Sequence, residues 1–111
     1  MARSRHFTTV NGTPVATQLV SASDFIAVFA TNAEDAAYYI KLWWSGNSSA
    51  APVVGTTHPS LTIPVPTAAT GLSLTFPLNN GGNLYWWATL AQGDADATAL
   101  TGGDVITFVY D

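Results

Sequence analysis

Very few groups in this chain could carry chemistry. The imidazoles are His6 and His58, and there is no cysteine. Covalent catalysis needs an activated Ser, Cys or Thr beside a base. His6 lies near the start of the chain, and His58 sits in Thr57-His58-Pro59, a stretch that turns the chain. No Gly-x-Ser-x-Gly elbow occurs. Glu34, Asp35, Asp94 and Asp96 all fall in loops. Two of them facing one cleft could hydrolyse a glycoside, but nothing in their spacing asks for it. Asp94-x-Asp96-x-Thr98 opens like a calcium loop, yet Ala99 stands at the sixth place and Val105 at the twelfth. Asp96 is better read as a cap on the turn that follows it. Asn80-Gly81-Gly82 runs into an aromatic segment with no lysine and no helix, so it is no phosphate loop. The expectation is no catalytic residue, no metal, no cofactor and no enzyme.

The aromatic side chains are the stronger signal. Four tryptophans in 111 residues is a high count, and two pairs of them sit in period-2 runs. In Tyr38 to Trp44 one face carries Tyr38, Ile40, Leu42 and Trp44; the other carries Tyr39, Lys41 and Trp43. In Leu84 to Leu90 one face carries Leu84, Trp86, Ala88 and Leu90; the other carries Tyr85, Trp87 and Thr89. Lysine is rarely buried without a partner, so its face should be the outer one. Trp44 and Trp86 then fit the core, while Tyr39, Trp43, Tyr85 and Trp87 form a ring-bearing outer surface. Such a surface either stacks sugars or lies against a second subunit, where Trp and Tyr are enriched.

The elements that must position these rings are strands. Val15 to Val20, Phe25 to Ala30, Pro52 to Thr57, Leu61 to Val65, Leu72 to Phe76 and Val105 to Tyr110 read as extended, between Gly, Pro, Asn and Ser clusters. Thr31 to Ala37 reads as a hairpin-like reversal. Pro64 lacks an N–H, so its strand belongs at a sheet edge or a bulge. Turns are expected at Ser21 to Asp24, Ser45 to Ala51 and Pro77 to Asn83, with a short helical turn at Ala95 to Leu100. Phe25 to Ala30 and Val105 to Tyr110 are apolar on both faces, as for strands covered on both sides. Seven or eight short strands without a helical period give an all-β antiparallel β-sandwich, with a jelly roll as one arrangement. Residues 1–14 read as a short N-terminal arm and 15–111 as the single domain.

Charged residues are only 9%, against about 25% in ordinary domains, so neighbouring protein should cover part of the surface. From residue 6 onward seven acids face one lysine, a balance of −6. That body repels phosphates, so nucleic acid is not an expected partner. No apolar run reaches membrane-spanning length or forms a secretory core. Arg3 and Arg5 could tether the arm to an acidic surface.

One ordered set of segments adds to this reading. It comprises Ala37-Tyr38-Tyr39-Ile40-Lys41-Leu42-Trp43, Ala51-Pro52-Val53-Val54-Gly55-Thr56 and Pro59-Ser60-Leu61-Thr62-Ile63-Pro64-Val65-Pro66. Gly71-Leu72, Gly93-Asp94-Ala95-Asp96-Ala97-Thr98-Ala99-Leu100 and Gly103-Asp104-Val105 follow. The set resembles the small structural proteins of tailed bacteriophages and prophages, some of which decorate or cement the capsid. The resemblance covers about residues 24 to 110, and this chain departs from it in its heavy use of tryptophan. It implies a virion protein with no catalytic residue, made in the host cytoplasm and placed on the capsid surface. It implies a homo-oligomer, a trimer being one form, bound to the major capsid protein or another virion protein. The contact residues expected are Tyr39, Trp43, Tyr85 and Trp87, with Arg3 and Arg5.

Overall fold

In a computed structural model, residues 3–12, 14–21, 24–44, 50–68, 72–79 and 83–110 are described. They form eight strands: β1 (Arg3–Thr8), β2 (Thr17–Ser21), β3 (Asp24–Ala30), β4 (Tyr38–Trp44), β5 (Leu61–Val65), β6 (Leu72–Asn79), β7 (Asn83–Thr89) and β8 (Val105–Tyr110). Two four-stranded antiparallel sheets are ordered β1-β8-β3-β6 and β2-β7-β4-β5. The first strand pairs with the eighth, the second with the seventh, the third with the sixth and the fourth with the fifth. This is the pairing of one long hairpin rolled up on itself. The fold is an all-β sandwich.

Alternation places the core. Tyr38, Ile40 and Leu42 of β4 point inward and are fully buried, and they meet Ile106 and Phe108 of β8 in one cluster. Each buried apolar side chain of this size contributes roughly 1.5–3 kcal/mol. Phe7, Trp86 and Phe108 form an aromatic knot inside, with ring centroids 4.8 to 5.9 Å apart and tilted to one another. β5 pairs only with β4, so Pro64 lies on an edge strand, where its missing donor costs no ladder bond.

Several local expectations are corrected. Arg3–Thr8, within the stretch read as an arm, is a strand of the sandwich, hydrogen-bonded along β8 from Arg3↔Tyr110 to Thr8↔Val105. The segment 52–57 is a turn and not a strand: the Thr56 and Thr57 N–H groups both donate to the Val53 carbonyl, and Gly55 takes φ +89°. Thr31 to Ala37 is no hairpin, because β3 and β4 lie in different sheets and the segment crosses between them. β6 runs past Phe76 through Pro77 to Asn79; it is an edge strand, so the proline is tolerated. No helical turn forms at 95–100. Much of the turns expected at Ser21 to Asp24, Ser45 to Ala51 and Pro77 to Asn83 lies outside the described residues.

Candidate contact surfaces

The two aromatic strands are neighbours. β4 pairs with β7, setting Tyr39 beside Thr89, Lys41 beside Trp87 and Trp43 beside Tyr85 on the outer face of the sheet. The sequence places this face in the open, and the structure corrects that. Lys41 and Thr89 are fully buried, Trp87 is 1% exposed and Tyr85 8%. The chain itself provides the cover. Segment 91–99 folds back over the sheet, where the Lys41 ammonium donates to the Gly93 carbonyl and the Thr89 hydroxyl to the Ala91 carbonyl. Asp96 holds that segment in shape by accepting from the Ala91 and Thr98 N–H groups and the Thr98 hydroxyl. Burial alone would raise the Asp96 carboxyl, but these bonds outweigh it and hold its pKa below the usual value. Burial lowers the Lys41 ammonium pKa, an effect partly opposed by Asp96 and Asp94. The lysine therefore has its partners, but they lie in a distant loop that period-2 reasoning does not see.

Of the four rings expected at a contact, Trp87 and Tyr85 are thus closed off within the chain, while Tyr39 and Trp43 remain half-buried. Trp43 tilts against Tyr85 at 6.0 Å. An open four-ring shelf for stacking sugars is not formed.

Arg3 is exposed at the start of β1. Arg5 is not a free tether. Its guanidinium donates to the Gln18 and Leu19 carbonyls at 3.0 and 2.8 Å and lies 5.0 Å from the Phe7 ring centroid. It joins β1 to β2, the edge strands of the two sheets, beside a register shift between Gln18 and Val20. Capping backbone carbonyls on an edge strand also blocks unwanted strand pairing.

The outer face of the β1-β8-β3-β6 sheet is different. Ser4, His6 and Thr8 of β1, Val105, Thr107 and Val109 of β8, and Ala27 and Phe29 of β3 share it by register. Phe29 is 43% and Val105 42% exposed. Among the described side chains of this face His6 is the only titratable one, and its Nδ1 is 2.8 Å from the hydroxyl of its cross-strand partner Thr107. The strands that read as apolar on both faces, β3 and β8, lie at the centre of this sheet.

A buried pair of carboxyl groups locks the crossing segments together. The Glu34 carboxylate accepts from the Thr101 N–H at 2.7 Å, the Thr101 hydroxyl at 2.8 Å and the Gly102 N–H at 3.1 Å. Asp104 accepts from the Thr9 hydroxyl and the Ala33 N–H, both at 2.6 Å. The two carboxyls are hydrogen-bonded to each other. Burial pushes the Asp104 carboxyl up, and its bond to Glu34 adds to the rise. Burial would raise Glu34 too, but the bonds from Asp104, Thr101 and Gly102 leave it lowered. One proton shared between them, held on Asp104, satisfies both directions. Tyr38, close to both acids, has its phenol pKa raised by burial first and by their charges second. From the sequence Glu34 is a loop acid and Asp104 part of a Gly-Asp-Val turn, and no local pattern joins them.

Among the described residues no nucleophile is set beside an oriented base. His58 Nδ1 lies 3.2 Å from Asp94 Oδ2, and both side chains are exposed. Among the described residues no three His, Cys, Asp or Glu groups converge as metal ligands. No helix among them is long and apolar enough to cross a membrane.

Neither a protein-family model nor a curated protein matches the chain. Among solved structures the chain is similar to one described under the words "Bacillus endospore appendages form a novel family of disulfide-linked pili". Identity is 14% and the TM-score 0.44, over 99% of this chain and 83% of that one. It is also similar to the Tobacco streak virus coat protein, at 13% identity and TM-score 0.43 over 100% of this chain and 85% of that one. A structure of that coat protein's dimer gives 13% and 0.42, over 98% and 82%. These are likenesses of backbone arrangement alone.

Proposed function

We propose that this chain is a non-enzymatic structural protein of a tailed-bacteriophage virion, a capsid decoration or cement subunit that binds the head as a homo-oligomer. The observation that carries the reading is the outer face of the β1-β8-β3-β6 sheet, free of Asp, Glu, Lys and Arg among its described side chains, with Phe29 and Val105 in the open. A protein that works alone in water covers such a face with charge. A subunit that repeats over a shell keeps it apolar, because each weak contact is multiplied by the number of copies engaged. The rolled-hairpin strand order is that of a jelly roll, an architecture that serves viral capsid domains. The segments in series that resemble small phage structural proteins support a virion setting.

In this reading Phe29 and Val105 anchor the contact with the major capsid protein or another virion protein. Tyr39, Trp43 and Arg3 lie at further contacts, and the site of action is the capsid surface. The test is co-sedimentation with emptied shells of the parent phage, comparing the native protein with Phe29→Glu/Val105→Glu. Both positions are exposed, so the double variant should keep its circular dichroism and melting curve while losing the shells. A double variant that binds shells as well as the native protein refutes this face. Native protein that stays monomeric at tens of micromolar and ignores shells refutes the reading itself.

A further inference from the structure

On the outer face of the β1-β8-β3-β6 sheet, His6, Thr107 and Phe29 stand in one cross-strand row. Neighbouring strands lie about 4.8 Å apart, so the His6 backbone is two strand spacings from that of Phe29. Thr8 is paired with Val105, which makes Val105 the diagonal neighbour of His6. The imidazole is exposed, and its Nδ1 lies 2.8 Å from the Thr107 hydroxyl. A hydroxyl both donates and accepts, so this contact holds the ring whether or not the imidazole is protonated. What protonation changes is the charge that the face carries.

No counter-charge is at hand among the described side chains. Within its sheet β1 pairs with β8 alone. Ser4 and Thr8 flank His6 on the outer face of β1, and β8 offers Val105, Thr107 and Val109. Arg3 and Arg5 alternate to the other side of β1, where the Gln18 and Leu19 carbonyls hold Arg5. Asp104 precedes β8 but is fully buried, with its carboxyl turned to Thr9 and Ala33. Tyr110 pairs with Arg3 at the opposite end of β8 and is 8% exposed. Asp24 starts β3 at the end of that strand away from Phe29. His58, the chain's other imidazole, pairs with Asp94 in the loops after β4 and β7.

We propose that His6 makes the docking of this face acid-sensitive: the contact forms with a neutral imidazole and is released when the imidazole gains a proton. The inference rests on the reading of this face as the capsid contact. Histidine is the side chain that changes charge between about pH 5 and 8. A partner closing over the row takes His6 out of water, and a buried charge without a counter-charge is expensive. A partner carboxylate opposite His6 would relieve that cost in acid. At neutral pH the same carboxylate would itself be buried against hydroxyls and apolar groups. The face therefore suits a partner surface that is neutral at this point. The free protein then binds the proton and the docked protein does not, so affinity falls as pH falls.

The experiment is co-sedimentation of the full chain with emptied shells of the parent phage in steps from pH 8 to pH 5, with circular dichroism at each step. Native binding should weaken roughly tenfold or more over that range. His6→Gln keeps a hydrogen-bonding group beside Thr107 and cannot take up the proton, so its binding should stay level. His6→Lys carries a charge throughout and should bind at pH 8 as weakly as the native protein at pH 5. Position 6 is exposed on an edge strand, so both variants should fold. His58→Gln should keep the native pH response. Native binding that does not change with pH, or that changes equally in His6→Gln, overturns the switch and leaves the docking reading standing. Binding that tightens in acid places a carboxylate opposite His6 and also overturns it. Native protein that ignores shells at every pH refutes the docking reading, and the switch falls with it.

Discussion

Removing the proton shared by Glu34 and Asp104 should destabilise the fold, so stability should fall as the solution is made less acid. Asp104 holds its proton to higher pH than an unfolded aspartic acid, whose usual value is 3.8. Between 3.8 and its folded value the native state binds the extra proton, and stability falls with rising pH. Glu34 works in the opposite sense. Its folded pKa lies below the usual 4.5, so its contribution is present above 4.5 and is lost as pH falls through the folded value. Stability therefore peaks where the pair carries one proton, and above Asp104's folded value two buried carboxylates face each other.

The perturbation is Asp104→Asn. Its carbonyl can still accept from the Ala33 N–H, and its amide can donate to Glu34, as the protonated acid does. Losing the Thr9 hydroxyl bond should cost about 1 kcal/mol in acid. Urea denaturation along a pH series rising from 4.5, where Glu34 is ionised in both states, should show native stability falling until Asp104's folded value is passed, and the variant lacking that fall. Glu34→Ala measures the whole lock: it strips acceptors from the Thr101 and Gly102 N–H groups and a partner from Asp104. Each buried unsatisfied group costs about 1–3 kcal/mol, and Thr101 is exposed enough for water to replace part of the loss, so about 2–4 kcal/mol is expected at any pH. A variant Asp104→Asn with the native pH slope, or an Asp104 carboxyl carbon that titrates below 3.8, refutes the shared proton.

Gly102→Ala should cost about 2–3 kcal/mol by denaturant titration, since φ is +105° and a Cβ would lie 3.1 Å from the Asn11 nitrogen and 3.2 Å from the Thr9 oxygen. Gly93→Ala, where a Cβ meets nothing within 4 Å, should stay within about 0.5 kcal/mol in the same assay. Arg5→Ala should cost about 1–2 kcal/mol by losing its two carbonyl contacts on β2, with faster amide exchange in β1 and β2 as the specific sign. Lys41→Met keeps the volume and removes a buried charge; it should change stability by less than about 1.5 kcal/mol, whereas Lys41→Ala should cost about 2–4 kcal/mol through the cavity it leaves.

The inward residues of β4 and β7 were legible because their side chains alternate, and Pro64 marked its own edge. What failed did so for reasons of distance. Lys41 looked external because its partners, the Gly93 carbonyl and the acids Asp94 and Asp96, lie over 50 residues away. Arg3-Ser4-Arg5-His6-Phe7-Thr8 alternates, but its two arginines mask a strand whose inward anchor is Phe7. Thr31 to Ala37 looked like a hairpin because flanking strands are sequential, and pairing in the rolled hairpin is not. Glu34 and Asp104 meet across 70 positions, a relation no local pattern carries.

The loops decide which face of the sandwich is open. The segments after β4 and after β7 are tied together by His58 and Asp94, and the second of them closes over the β2-β7-β4-β5 sheet. Asp94 and Asp96 therefore sit on that side, and the buried acids Glu34 and Asp104 are turned inside against Thr101, Gly102, Thr9 and Ala33. Packed sheets stand about 10 Å apart, and physiological salt screens charge over about 8 Å. Acids outside one sheet thus stand more than a sheet spacing from whatever approaches the other, and salt in the surrounding solvent weakens what force remains. The described side chains of the Phe29 and Val105 face carry no carboxylate, and Asp94 and Asp96 lie outside the other sheet, which is the charge distribution that the proposed contact through this face requires.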